Sequence, residues 1–170
     1  MDEIAALRLW IMAAHRDLDR EHARLLRVIG LTPAQADALA VLQEHGALTV
    51  RDLGDLLVRE SGSPSRLART LVESGWVDRT IEPFDGRTAV LRLSVAGRRL
   101  AGRAERAESR LHGSMAQAIG HVPAGTALAG PPLAGTVRLR VCAAALAALA
   151  SGPAGRAVPR RLAGRTWWWR

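Results

Sequence analysis

Three helix starts crowd into the stretch between Thr32 and Pro64, and they restrict this part of the chain to short helices. Thr32-Pro33-Ala34-Gln35 supplies a capping hydroxyl, a proline where no amide hydrogen is needed, and a glutamine able to reach back to the cap amide. Thr49 opens a second start, with Asp52 as its capping-box partner. After the polar break Arg59-Glu60-Ser61-Gly62, Ser63-Pro64 opens a third, because proline is tolerable only in a first turn. Gly46 stops the first of these helices and Ser74-Gly75 the last.

The hydrophobic period then changes. Residues 76–82 and 87–94 predict two short strands joined by Pro83-Phe84-Asp85-Gly86, and Asp-Gly is a strong hairpin signal. Ala89, Leu91 and Leu93 alternate with Val90 and Arg92, so the first three are expected inside and the other two outside. Long helices flank this unit. Residues 2–28 carry Ile4, Leu7, Ile11, Ala14, Leu18 and Leu25 on one stripe, closed by Gly30. Ser94 caps a helix over about 95–119, with Leu100, Ala104, Ala107, Leu111 and Met115 on one side. The shorter helices carry Ala36, Leu39, Ala40 and Leu42, then Leu53, Leu56 and Leu57, as candidate core. Beyond Gly120 the chain turns rich in Ala, Gly and Pro, with helix expected only over 137–150 and no internal repeat anywhere.

The expected architecture is α+β, mostly α: a winged helix-turn-helix with long N- and C-terminal helices. It divides into a first helix (1–30), the winged unit (31–94), a second long helix (95–119) and a tail (120–170). At 170 residues and 48% hydrophobic content the chain can build a sizeable core. Its opening Met1-Asp2-Glu3 is the wrong charge for a secretory signal, and the apolar run Val141 to Ala150 is too short to span a bilayer. The single cysteine, Cys142, excludes an internal disulfide. Together these lead us to expect a cytoplasmic protein.

The net charge of +8 is not where a nucleic-acid contact would be sought first. Residues 1–108 hold sixteen arginines and all sixteen acids, whereas 109–170 hold eight arginines and no acid. Within the first part, 1–58 carry six arginines against nine acids and 59–108 carry ten against seven, so any DNA contact belongs to the second stretch.

On a helical wheel of residues 63–75, Pro64, Leu67, Ala68 and Leu71 share one side, with Ser65, Arg66, Arg69 and Glu73 opposite. A helix packed on one side, with two arginines displayed near its start, suits the major groove, where Arg forks onto guanine O6 and N7. The amides at its N-terminus would also attract phosphate. A solvated surface helix would look the same in isolation. The hairpin beside it decides between the two: at its tip Arg87 can enter a narrow minor groove while Asp85 orients the guanidinium and Gly86 shapes the turn.

Five short motifs together carry a resemblance. They are Leu31-Thr32-Pro33-Ala34-Gln35, the run from His45 through Leu48-Thr49 to Leu53, Ser63-Pro64-Ser65-Arg66-Leu67 with Leu71 to Val77, Asp85-Gly86-Arg87, and Leu93-Ser94-Val95-Ala96-Gly97-Arg98. In this order and spacing they resemble the MarR family of bacterial transcriptional regulators, over about residues 4–118. The resemblance implies a homodimer with interlocking terminal helices and two lobes on a pseudo-palindromic operator. By position, Ser63, Ser65, Arg66 and Arg69 match its recognition-helix contacts and Arg87 its wing arginine. It further implies a repressor released by a small phenolic or anionic effector bound between the dimer interface and the DNA-binding lobe. Two features depart from the family pattern: Gly62 and Pro64 at the start of the recognition helix, and an acid-free tail ending Trp167-Trp168-Trp169.

Other chemistry is weaker. His15 and His22 share a helix face and His112 and His121 flank the end of the other long helix, but no acid or cysteine joins them at ligand spacing, so no metal site is expected. Cys142 sits among alanines with nothing near in sequence to make a thiolate. Trp10 and Trp76 are expected in the core or an interface, Trp76 anchoring the first strand. No phosphate loop, triad or carboxylate pair appears, so neither an enzyme nor a cofactor is expected. A winged-helix protein-interaction module that binds no DNA is the alternative reading. A third is a constitutive DNA binder whose ligand response has decayed.

Overall fold

The computed structural model describes residues 3–58, 63–81 and 89–120, together with single helical positions at Leu146 and Val158. Five helices and three short strands follow in the order α1 (Glu3–Arg27), α2 (Pro33–His45), β1 (Leu48–Thr49), α3 (Val50–Leu56), α4 (Pro64–Glu73), β2 (Val77–Ile81), β3 (Ala89–Leu93) and α5 (Val95–Gly120). The architecture is mostly helical with a small antiparallel sheet, in agreement with the sequence reading.

Local chemistry sets the boundaries. At the start of α2 the Gln35 amide donates to Thr32 Oγ1 at 3.3 Å, and the Thr32 amide donates to Gln35 Oε1 at 2.9 Å, which completes the capping box. At α3 only half of the expected box forms. The Asp52 amide donates to Thr49 Oγ1 at 3.1 Å, but the Asp52 carboxylate accepts the Thr49 hydroxyl at 2.7 Å in place of the Thr49 amide. Aspartate is one methylene shorter than the glutamate or glutamine of a full box. Leu57, expected within this helix, is its C-cap.

Leu26, Leu39, Leu42, Leu53, Leu71, Leu91, Val41 and Val77 are the largest fully buried side chains, and each such burial contributes about 1.5–3 kcal/mol. Of the expected α2 core, Ala36, Leu39 and Leu42 are buried and Ala40 is half-buried. On α5, Leu100 and Ala104 are buried while Ala107, Leu111 and Met115 are half-buried.

Three readings need correction. The sheet has a third strand, in the order β1-β3-β2, with Leu48 opposite Leu91 and Thr49 opposite Val90. Val90, expected outside, is buried, because β3 is the central strand and neighbours shield it on both sides. Trp76 lies just before β2 rather than in it, half-buried and packed against the core. The stripe on α1 finds little cover within the protomer: Leu7 and Ala14 are exposed, Ile11 and Leu18 half-buried, and Trp10 is 74% exposed. Among the described residues no helix is long and apolar enough to cross a membrane.

Candidate nucleic-acid interface

The helix-turn-helix is built by α3 and α4 closing on shared leucines. Leu53 from α3 and Leu67 and Leu71 from α4 are buried in one cluster with Leu39 and Val41 of α2. Gly54 permits the close approach of the two helices, since a Cβ there would lie 3.0 Å from Pro64 Cγ and 3.2 Å from Pro64 Cβ. The first turn of α4 is thus pinned against α3 by its proline ring, and its orientation is fixed from the N-terminal end.

The two sides of α4 separate as the wheel predicts. Leu67, Ala68 and Leu71 are buried and Pro64 is half-buried, while Ser63, Ser65, Arg66, Arg69 and Glu73 are exposed. The backbone amides of Arg66 and Leu67 donate to Ser63 O at 3.0 and 3.1 Å, but the Ser63 side chain makes no capping hydrogen bond. The first turn therefore carries helix-dipole positive charge with no side-chain oxygen already bound to it. Thr70 Oγ1 donates back to Arg66 O at 3.1 Å and Ser74 Oγ to Thr70 O at 2.8 Å. These hydroxyls are spent on the helix itself, which leaves Ser65, Arg66 and Arg69 as the groups free to reach outward.

The hairpin is tied firmly to this helix. The turn after α4 passes through Gly75 at φ +70°, a conformation that L side chains rarely adopt. Ser94 then links three elements: its hydroxyl donates to Gly75 O at 2.7 Å, its amide donates to Trp76 O at 3.0 Å, and its Oγ accepts the Gly97 amide at 3.0 Å. A Cβ at Gly97 would lie 1.9 Å from Trp76 O, so the start of α5 rests directly on the connector from α4. Arg98 adds a hydrogen bond from Nη1 to Leu93 O at 2.7 Å. The long helix, the recognition-like helix and the sheet therefore move as one unit.

Arg79 stands exposed on β2, and Arg92 on β3 lies opposite Asp78. The sequence reading did not single out Arg79, because a basic residue in a short strand gives no sign of which face it takes. The expected wing residues Asp85, Gly86 and Arg87 lie outside the described residues, as do His121, Cys142 and, apart from Leu146 and Val158, the tail. Of the expected helix 137–150, Leu146 alone is described, and it is helical and exposed.

The histidines have carboxylate partners. His22 Nε2 lies 2.9 Å from Glu108 Oε1, joining α1 to α5, and His15 Nε2 lies 3.3 Å from Asp19 Oδ2. Sequence spacing could not reveal the first pair, whose members are 86 positions apart. Among the described residues no group of three or more His, Cys, Asp or Glu could hold a metal ion.

Comparison with known proteins bears on this geometry. Residues 29–88 match the MarR family. The chain is similar to an organic hydroperoxide resistance transcriptional regulator of Bacillus subtilis, at 28% identity over 87 residues, covering 51% of this chain and 59% of the relative. Across the curated relatives it matches, the chain spans between 52% and 59% of their length. Its fold is that of a mutant MarR from Escherichia coli solved with operator DNA (TM-score 0.68, 21% identity, covering 87% of this chain and 96% of that one). An organohalide-sensing transcriptional regulator solved with 2,4-dichlorophenol is equally alike (TM-score 0.68, 17% identity, 88% of this chain and 82% of that one).

Proposed function

The chain is a member of the MarR family through residues 29–88, and from that premise we propose that it is a transcriptional regulator that binds a pseudo-palindromic operator as a homodimer. One observation carries the reading: α4 buries Leu67, Ala68 and Leu71 and turns Ser65, Arg66 and Arg69 outward from an uncapped first turn. Arg66 and Arg69 reach base edges in the major groove, Ser63 and Ser65 lie at the helix start nearest the phosphates, and Arg87 at the hairpin tip, braced by Asp85 and Gly86, grips the adjacent minor groove. In the dimer two such helices sit about one duplex turn apart, roughly 10 bp.

The exposed α1 stripe of Leu7, Trp10 and Met12 supports a pairing role for segments 1–30 and 95–119, around a DNA-binding unit of 31–94 and a tail of 120–170. Its likeness to a regulator solved with 2,4-dichlorophenol supports an effector-released repressor answering to a small phenolic or anionic molecule. The protein acts in the cytoplasm, by binding rather than by catalysis, and without a cofactor.

A gel shift on duplex from the region upstream of its own reading frame, repeated over a range of salt concentrations, tests the reading. Steep loss of affinity with salt is expected. Absence of a shift at every ionic strength would transfer the α4 face to a protein partner.

A further inference from the structure

We propose that the seam between the C-terminal end of α1 and the middle of α5 is a binding groove for a small amphiphilic carboxylate, an anion with an acyl or aryl body. Val28 and Ile29 from the end of α1 and Ala107 of α5 give the groove its apolar wall, and Arg103, Arg106 and Arg110 of α5 line the rest. Its volume of about 330 Å³ is at the lower end of small-ligand pockets, about 300–1,000 Å³. No residue of α2 or of the sheet lines it.

The charge on this seam is unmatched. Spacings of three and four place the three guanidinium groups on one side of α5, where like charges repel. All three are exposed, and none forms a hydrogen bond or ion pair in the described structure. The nearby acids are placed or engaged elsewhere. Glu21 holds Arg24 at 2.6 and 2.8 Å, and Glu108 pairs with His22. Glu105 lies one and two positions from Arg106 and Arg103, separations that turn it to another side of the helix. Residues 109–170 contain no acid, so no later side chain of this chain supplies the missing negative charge.

The apolar wall narrows the choice of anion. Val28 is 80% exposed beside the arginines, an apolar surface that bare phosphate or a DNA backbone would leave uncovered. Guanidinium forks match a carboxylate in two parallel hydrogen bonds, while an acyl or aryl body covers Val28 and Ile29. That the occupant acts as the effector rests on the regulator reading; the binding itself does not.

Calorimetric titration of the full chain with decanoate tests the groove, with decanol and inorganic phosphate as controls. Saturable decanoate binding is expected, weakened at least about tenfold by Arg103→Gln with Arg106→Gln, as for loss of charge-assisted hydrogen bonds. Val28→Asp, at a position too exposed to threaten folding, should weaken it comparably, and Arg16→Gln on α1 should leave it unchanged. Equal binding of decanol or phosphate, or unaltered decanoate binding by both groove variants, overturns the assignment. So does a parent that ignores decanoate but loses its sedimenting dimer in the double arginine variant, which gives the seam to a second copy of the chain. Duplex binding by the ligand-free protein is measured alongside. DNA binding without decanoate binding sinks the groove alone, and decanoate binding without DNA binding sinks the regulator reading alone.

Discussion

Helices α2 and α4 begin with nearly the same letters and end up with different tasks. Thr32-Pro33-Ala34-Gln35 and Ser63-Pro64-Ser65-Arg66 both offer a hydroxyl, a proline at the first helical position and a long polar side chain at the third. In α2 the hydroxyl and Gln35 satisfy each other's backbone amides, and the start is closed. In α4 the third helical residue is Arg66, which has no acceptor to offer the cap amide, and Ser63 makes no side-chain cap. The chain has given up a capping box at the helix whose outer side carries the arginines. An uncapped start costs stability and leaves positive charge facing outward, which suits an interface and would be wasted in a purely structural helix.

The two helices should be equals where they are buried. Leu39→Ala in α2 and Leu71→Ala in α4, both with no exposed surface, should each cost about 2–5 kcal/mol in urea unfolding. A much smaller cost at Leu71 would mean that α4 is only loosely held and that the comparison is between a core helix and a surface one. Next, Arg66→Ala and Arg69→Ala should each remove about 1–3 kcal/mol of base discrimination. Their unfolding curves should stay within about 0.5 kcal/mol of the parent, as for exposed positions. The capping difference comes third: Thr32→Ala should cost about 1 kcal/mol of stability, and Ser63→Ala less than about 0.5 kcal/mol. Equal losses would erase the contrast.

The smallest effect belongs to the α1 surface. A hydrogen bond from the Arg24 guanidinium holds the Glu21 carboxyl below its ordinary pKa, and both groups are fully exposed. Because the folded value is the lower one, the contribution is present at neutral pH and fades as pH falls through it. Glu21→Gln should flatten that slight pH dependence at low salt and leave stability in high salt unchanged.

What the sequence made legible was whatever is decided locally. Thr32 with Gln35, Pro64, Gly75 and Ser94 each act within a few residues, so both the boundaries and the order of elements could be read from them. The split of α4 into an inner and an outer side followed from helical period alone. Strand β1 escaped because two residues, Leu48 and Thr49, are too few to display a period, and Thr49 also caps α3. Val90 was assigned to the wrong side because alternation says nothing about a third strand. The His22–Glu108 pair and the arginine seam of α5 depend on α1 meeting α5 in space, and no spacing rule encodes that.

The most direct test of the account is fluorescence anisotropy of a selected duplex and its scrambled counterpart against the parent protein and the Arg66→Ala, Arg69→Ala double variant. The account predicts that the parent prefers the selected duplex and that the variant, folded as before, binds both weakly and alike. A variant that keeps the parent's preference would contradict it.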